Sequence, residues 1–404
     1  MPESRTLFVP GRIELFGKHV DYGGGPSLTC AVDLGIHAEI TPIDRPFLEI
    51  EDASTGRRAR VPLRRDARTG SAHGGAYIAA VVRRMSRDFA PLKVGVRIRS
   101  TSDLPRSSGL SSSSAFITLL VIALAEVNGL RSRRVWHDHL RTPLQLAEYC
   151  GAVEMGGPYG PFPGEHGVGT RGGAQDHVAI CCNQAERVSA FRYLPAEPIG
   201  SAAFPESWTL LVGVSGVRAT KTGGARDDYN RAADQLRGIV AAWNRVTGHA
   251  DPSLRSALQS SPEAPERLAQ LARGLDDPDG AIARIAQFRA ETERFVPEAL
   301  AAFASVDAKA LGALAVASQQ GAEVVLRNQI PETMCLARAA MAAGAHAASA
   351  FGAGFGGAVW AVADRAEAEA VIARWQASYA AAFPHQAARA QFLAVRPVAG
   401  VRWP

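Results

Sequence analysis

Pro105-Arg106-Ser107-Ser108-Gly109-Leu110-Ser111-Ser112-Ser113-Ser114-Ala115 runs directly into the apolar stretch Phe116–Leu124. A Gly/Ser turn opening onto a helix leaves the first backbone N–H groups unpaired and puts the positive end of the helix dipole beside them. Such an end holds phosphate. The run Ser111 to Ser114 adds hydroxyl donors for phosphate oxygens and hard oxygen ligands for Mg2+. A solvated Ser-rich linker is the plainer reading of such a tract. This one is short and flanked by apolar residues, which a linker avoids, so phosphate binding is preferred. No Gly-Lys-Ser/Thr follows, and the turn is therefore not a Walker loop.

Around this turn the chain reads as a soluble enzyme. Its 404 residues allow two or three domains with substantial cores. A formal charge of +5, spread without long basic blocks or interleaved aromatics, argues against a nucleic-acid partner. The five cysteines (Cys30, Cys150, Cys181, Cys182, Cys335) show neither a disulfide framework nor zinc-ligand spacing. With no apolar leader after Met1 and no long apolar run, a cytoplasmic location without membrane contact is expected. Lysine is scarce (Lys18, Lys93, Lys221, Lys309), which makes each one informative.

Short β-type runs punctuate the first third: Thr6–Val9, Leu28–Val32, Ile36–Ile40, Leu48–Ile50 and the alternating Leu92–Arg99. Helical periodicity marks Tyr77–Met85, Ser113–Asn128 and Leu144–Val153, and a strand is expected near Val188–Tyr193. The Pro/Gly/Ser-rich stretch Leu194–Glu206 is the candidate domain boundary. Beyond it come a strand at Trp208–Val214 and helices at Ala225–Thr247, Pro262–Leu275, Ala281–Phe303 and Asp307–Leu326. Two βα-type pieces, near Ala348–Val362 and Ala366–Phe383, and a last strand near Phe392–Val395 close the chain. The pattern is α+β in two halves.

Two further glycine motifs flank the serine turn. Gly11-Arg12-Ile13-Glu14-Leu15-Phe16-Gly17-Lys18-His19-Val20-Asp21-Tyr22 leads into three glycines, Gly23 to Gly25, and sets polar groups among residues that let backbone approach a polyhydroxylated ligand. Gly352-Ala353-Gly354-Phe355-Gly356-Gly357 precedes a strand. Either alone could be an ordinary turn. In order and content the three resemble the GHMP kinase superfamily, and within it the galactokinases. These carry Gly-Arg-x-Asn-Leu-x-Gly-Glu-His-x-Asp-Tyr, then Pro-x-Gly-x-Gly-Leu-Ser-Ser-Ser-Ala, then Gly-x-Gly-Phe-Gly-Gly. The matches are Gly11, Arg12, Leu15, Gly17, His19, Asp21, Tyr22 and Gly25, then Pro105 and Gly109 to Ser113, then Gly352 and Gly354 to Gly357.

The resemblance implies a two-domain fold: an N-terminal ribosomal-protein-like domain (1–200) and a C-terminal ferredoxin-like domain (205–404), with the active site in the cleft between them. It implies ATP-dependent phosphoryl transfer to a small-molecule hydroxyl, a monomer or weak homodimer, and ATP and Mg2+ as cofactors. Asp176, in Gly173-Ala174-Gln175-Asp176-His177, stands at the position of the catalytic base, with Arg12 as its partner. Ser113 and Glu154 stand at the Mg2+ ligands. Ser108, Gly109, Ser111, Ser112, Ser113 and Ser114 line the phosphates, closed over by Gly354 and Gly356. Lys18, His19, Asp21, Gly173 and Tyr229 are the substrate-binding set.

Five positions break the galactokinase pattern: Glu14 for Asn, Lys18 for Glu, Ser107 for Gly, Ser114 for Ala and His177 for Gln. Lys18 matters most, since an ammonium donates where a carboxylate accepts. Two readings stay open. Lys18 binds a substrate anion, as on a uronic acid, or it pairs with Glu14 and leaves a neutral sugar or cyclitol as substrate. A silent sugar sensor and a kinase of a non-sugar alcohol are the alternative functions. The Gly/Pro-rich segment Met155–Arg171 is an insertion expected near the substrate entrance.

Overall fold

The computed structural model describes residues 4–69, 74–105, 108–218 and 225–402, and the side chains of all of these but 225–229. Ser107 and the Tyr229 side chain, both singled out from the sequence, lie outside the described residues.

The first half is built on β1 (Arg5–Phe16) and β2 (Ser27–Ile43), whose alternation is masked because both are buried on both faces over much of their length. They pair antiparallel, with a register shift at Pro10/Gly11. β2 continues through the turn expected between Val32 and Ile36, so the two short runs become one strand. With β3 (Phe47–Asp52), β4 (Arg57–Pro62), β5 (Gly95–Ser102), β6 (Arg187–Arg192) and β7 (Glu197–Ala203) the sheet runs β4-β3-β5-β2-β6-β7, with β1 joined to β2. Only the β3–β5 pairing is parallel. Helices α1 (Gly75–Asp88), α2 (Ser112–Val127), α3 (Arg134–His139), α4 (Pro143–Met155) and α5 (Gln175–Cys182) accompany this sheet, and α2 is buried on almost every side.

β7 occupies the stretch expected as the boundary. Its Gly, Ser and Ala residues pair with β6 through the backbone, and the chain crosses to the second sheet just after it. That sheet is antiparallel, β11-β8-β10-β9, from β8 (Trp208–Val214), β9 (Ala347–Ala350), β10 (Ala358–Asp364) and β11 (Gln391–Val395). β12 (Pro397–Val398) then returns the chain to β2 of the first sheet.

Between β8 and β9 along the chain come α6 (Ala225–Thr247), α7 (Leu254–Gln259), α8 (Ala264–Ala272), α9 (Pro278–Arg289), α10 (Val296–Ser305), α11 (Ala308–Gly321) and α12 (Pro331–Ala342). The long helix expected over Ala281–Phe303 is broken into α9 and α10 by a π-helical turn, Ala290–Phe295. α10 ties the halves together: the Phe303 ring lies 5.8 Å from Phe204 and 5.9 Å from Trp208. α6 to α9 form a separate core around Val20, with Leu236, Trp243 and Phe288. That packing anchors the loop after β1 from below. α13 (Ala368–Ala382) covers the second sheet with Trp375 and Tyr379. No helix among the described residues is long and apolar enough to cross a membrane.

Candidate active site

The site is assembled from three backbone devices. β1 ends at Phe16, and Gly17 turns the chain at φ +93°, where an added Cβ would lie 2.4 Å from Pro26 O. Only glycine fits that turn. At the serine motif Gly109 (φ +85°) and Ser111 (φ +61°) both adopt left-handed conformations, and no side chain caps α2. The helix therefore begins with open N–H groups. Ser108 and Ser111 are buried with hydroxyls that have no partner among the described residues. Ser112 is exposed and Ser113 half-buried in the first turn. The third motif meets this loop, since a Cβ on Gly352 would lie 3.2 Å from Gly109 O.

Arg12 joins the first motif to the centre of the chain. Its Nε donates to Asp176 Oδ1 at 3.0 Å, its Nη2 to the same oxygen at 2.6 Å, and its Nη1 to Gly109 O at 2.5 Å. The guanidinium is almost fully buried while Asp176 keeps 16% of its side-chain surface. Charge-assisted bonds of this kind hold a carboxylate in one orientation. Asp176 sits in the first turn of α5, where the helix dipole favours its negative charge. Its second oxygen, Oδ2, lies 3.4 Å from Ser114 Oγ.

Ser114 also donates to Glu154 Oε2 at 3.0 Å, and His177 Nε2 meets the same oxygen at 2.8 Å. The hydroxyl that reaches Glu154 is thus that of Ser114, next to Ser113. His177 in turn contacts the Thr118 hydroxyl at 3.3 Å. Among the described residues no group of three or more His, Cys, Asp or Glu side chains is gathered as for a metal.

His19, Asp21 and Gly173 come together beside Asp176. A pocket enclosing about 510 Å³, its open mouth included, is walled by Arg12, Glu14, His19, Asp21, Glu154 and Asp176 among others. His19 lies between the Tyr22 hydroxyl (Nδ1, 3.1 Å) and Asn328 Nδ2 (Nε2, 3.1 Å). Asp21 packs against the loop before α5, where Gln175 N–H points at its Oδ2 from 3.4 Å. Burial, reinforced by the nearby Asp176 charge, pushes the Asp21 carboxyl up to about 6. Gly352 and Ala353 reach the pocket, whereas Gly354 (φ +84°) packs under Asn328 and Gly356 lies further along the turn.

Lys18 turns away from the pocket. It is 3% exposed, and its Nζ donates to Ser318 Oγ at 2.7 Å. Ser318 donates to Glu291 Oε1 at 2.6 Å, and Glu291 Oε2 accepts the Gly17 N–H at 2.8 Å. Burial lowers the Lys18 pKa, and the charges of Glu291 and Glu14 oppose that shift. Glu291 lies on the π-helical turn, a feature common at functional sites.

The insertion docks onto α1. Arg83 donates to His166 O at 3.0 Å, Arg84 to Gly157 O at 2.7 Å and Arg87 to Gly164 O at 3.1 Å. Its two ends, Met155 and Thr170, reach the pocket. Glu291, Ser318, Asn328 and Gln175 belong to the site without having been singled out from the sequence. The first three sit far along the chain with no motif around them.

Comparison with known proteins agrees with this fold. Residues 2–42 match the galactokinase galactose-binding signature, 76–161 the GHMP kinases N terminal domain, and 299–381 the GHMP kinases C terminal model. A galactokinase of Actinobacillus pleuropneumoniae is 28% identical over 145 residues, 36% of this chain and 35% of the relative. A galactokinase of Lacticaseibacillus casei is 27% identical over 206 residues, 48% of this chain and 47% of the relative. The similarity thus spans about a third to a half of the length of these relatives. Among solved structures, Lactococcus lactis galactokinase complexed with galactose superposes with a TM-score of 0.78 at 18% identity, covering 100% of this chain and 95% of that one. Methanococcus jannaschii mevalonate kinase gives 0.60 at 13% identity, covering 98% and 99%.

Proposed function

Because the chain belongs to the GHMP kinase superfamily and opens on a galactokinase galactose-binding signature, we propose that it transfers the terminal phosphoryl group of ATP to a hydroxyl of a neutral sugar, the anomeric one. The observation that carries this reading is the Arg12–Asp176 pair, held at 2.6 Å where the three glycine motifs meet. Phosphoryl transfer asks the protein for positioning and charge stabilisation more than for covalent chemistry.

In this reading a sugar hydroxyl lies on Asp176. Its oxygen forms the new O–P bond as the bond to the departing ADP oxygen breaks, and its proton passes to the Asp176 carboxylate. Arg12 fixes that carboxylate and offsets the charge spread over the moving phosphoryl group. The open N–H groups at the start of α2 and the hydroxyls of Ser108, Ser111, Ser112 and Ser113 hold the phosphates. Glu154 and Ser113 would hold Mg2+, for which hard carboxylate and hydroxyl oxygens are suitable donors. When bound, that ion neutralises phosphate charge. His177 and Ser114 orient Glu154.

The pocket favours an uncharged acceptor over a uronic acid. Asp21, Glu154 and Asp176 all face it, and Arg12 is engaged by Asp176 and Gly109 O. Lys18, the group that could have met an anion, donates to Ser318 instead. A substrate carboxylate would be desolvated among like charges. A coupled ADP-release assay over galactose, galacturonate, glucuronate, cyclitols and mevalonate tests the reading. ADP formed with a neutral sugar and abolished by Asp176→Asn supports it. ADP formed only with a non-sugar alcohol, or with nothing, overturns it.

A further inference from the structure

Two polar atoms on the pocket wall are buried without a close hydrogen-bond partner among the described residues: Glu14 Oε1 and Gln175 Nε2. Their residues are 2% and 5% exposed. The Gln175 side chain faces the Glu14 carboxyl and lowers its pKa as a hydrogen-bond donor does, but the two atoms stand outside close hydrogen-bond geometry, which leaves both open to a group placed between them. A buried polar group left this way is destabilising. Native structures keep few of them without a reason.

The cationic neighbours that could satisfy the carboxyl are committed elsewhere. Arg12 is taken by Asp176 and Gly109 O. Lys18 is taken by Ser318. Glu14 is fixed on β1 opposite Thr29, and Gln175 opens α5 one residue before the catalytic aspartate. One atom accepts and the other donates, which is what a hydroxyl needs, since it gives one hydrogen bond and takes others.

We propose that Glu14 and Gln175 together read one hydroxyl of the substrate, Glu14 Oε1 accepting its proton and Gln175 Nε2 donating to its oxygen, and so set specificity for an uncharged polyol. The proposal rests on the sugar-kinase reading above and deepens it. Burial pushes the Glu14 carboxyl up to about 8, against the pull of Arg12 and Lys18. Near neutral pH the wall is therefore largely uncharged at this point and suited to a neutral group. Glu14 stands where galactokinases carry Asn, which ties the departure in sequence to a contact with substrate.

The test measures sugar binding by calorimetry on the full chain, apart from catalysis. Neutral hexoses beginning with galactose are titrated, then the monodeoxy analogues of the tightest binder, with galacturonate as the charged probe. Glu14→Leu and Gln175→Met should each weaken that sugar about tenfold to hundredfold, the loss typical when one partner of a buried hydrogen bond is removed. One deoxy analogue should bind the wild type and both variants equally weakly. Glu14→Gln keeps an acceptor oxygen and should keep the discrimination, and ATP titration of every variant reports that the fold is intact. Variants that bind the sugar as the wild type does, a Glu14→Gln protein that loses the discrimination, or the absence of any sugar binding overturns the proposal. Sugar binding without ADP release would instead remove the kinase reading and leave this one standing.

Discussion

Arg12 and Asp176, 164 positions apart, are joined through a single carboxylate oxygen that accepts from both Nε and Nη2 of the guanidinium. Oδ2 is left facing Ser114 and the pocket. One oxygen is thus anchored while the other faces the place where a proton would be accepted. Asp176→Asn keeps the shape and one donor-acceptor edge but removes the proposed base. It should lower kcat about 10²–10⁴-fold with little change in sugar or ATP Kd, measured by ADP release and calorimetry. Arg12→Lys loses the fork that holds Oδ1 and Gly109 O together and should also act mainly on kcat.

The Glu14 carboxyl titrates far from its ordinary range because burial disfavours its charge. Its folded-state pKa, about 8, lies above the ordinary 4.5, so the folded protein binds more protons than the unfolded chain between those values. Stability of the ligand-free protein should therefore fall as pH rises through that window, by up to about 1.4 kcal/mol per pH unit from this group. Glu14→Gln removes the proton and should flatten that slope. Denaturant midpoints at pH 5, 6, 7 and 8 for both proteins check it, and parallel curves would show that Glu14 is not the group responsible.

The three glycine motifs were legible because each needs backbone that few residue types allow. Gly17, Gly109 and Gly352 all have positive φ, and the polar residues between them are too dense for a core. Long helices with clean periodicity, such as α6, were legible for the same kind of local reason. β7 was not, because its Gly, Ser and Ala residues carry no strand signature and are held by pairing with β6. Glu291 and Ser318 were equally hidden. Nothing near either residue says that a lysine some 300 positions away will lie beside it. The orientation of Lys18 is a property of tertiary packing, and its residue type alone left both readings open.

Lys18 is enclosed with Glu14, Glu291 and Ser318. Reversing its charge puts a carboxylate beside two others in a buried space. Lys18→Glu should therefore destabilise the protein by about 3–5 kcal/mol, the range for leaving a buried charge uncompensated. Lys18→Met leaves Glu291 without its cation and should destabilise in the same direction. Neither should shift preference from galactose toward galacturonate or away from it. Urea denaturation reads the first effect and competition assays the second. A Lys18→Met protein that keeps its stability but newly accepts or rejects the sugar acid would restore Lys18 as a reader of substrate charge.

Gly173 lies on the pocket wall against Asp21. An added Cβ there would lie 2.1 Å from Asp21 Oδ2, 2.6 Å from its Cγ and 3.1 Å from Tyr22 N. Such contacts are far inside van der Waals distance, so Gly173→Ala must displace Asp21 or the loop that leads into α5. If Asp21 binds the sugar as proposed, displacing it alone should raise the sugar KM about tenfold, as for loss of one hydrogen bond, with kcat and ATP KM nearly unchanged. Displacing the loop would also move Gln175 and Asp176, and kcat would fall with it. Gly157→Ala, in the insertion, has nothing within 4 Å of the new methyl and serves as the matched control. The split between KM and kcat in Gly173→Ala thus reports which of the two walls is the stiffer, and equal kinetics for both glycine variants would show that Asp21 does not touch the sugar.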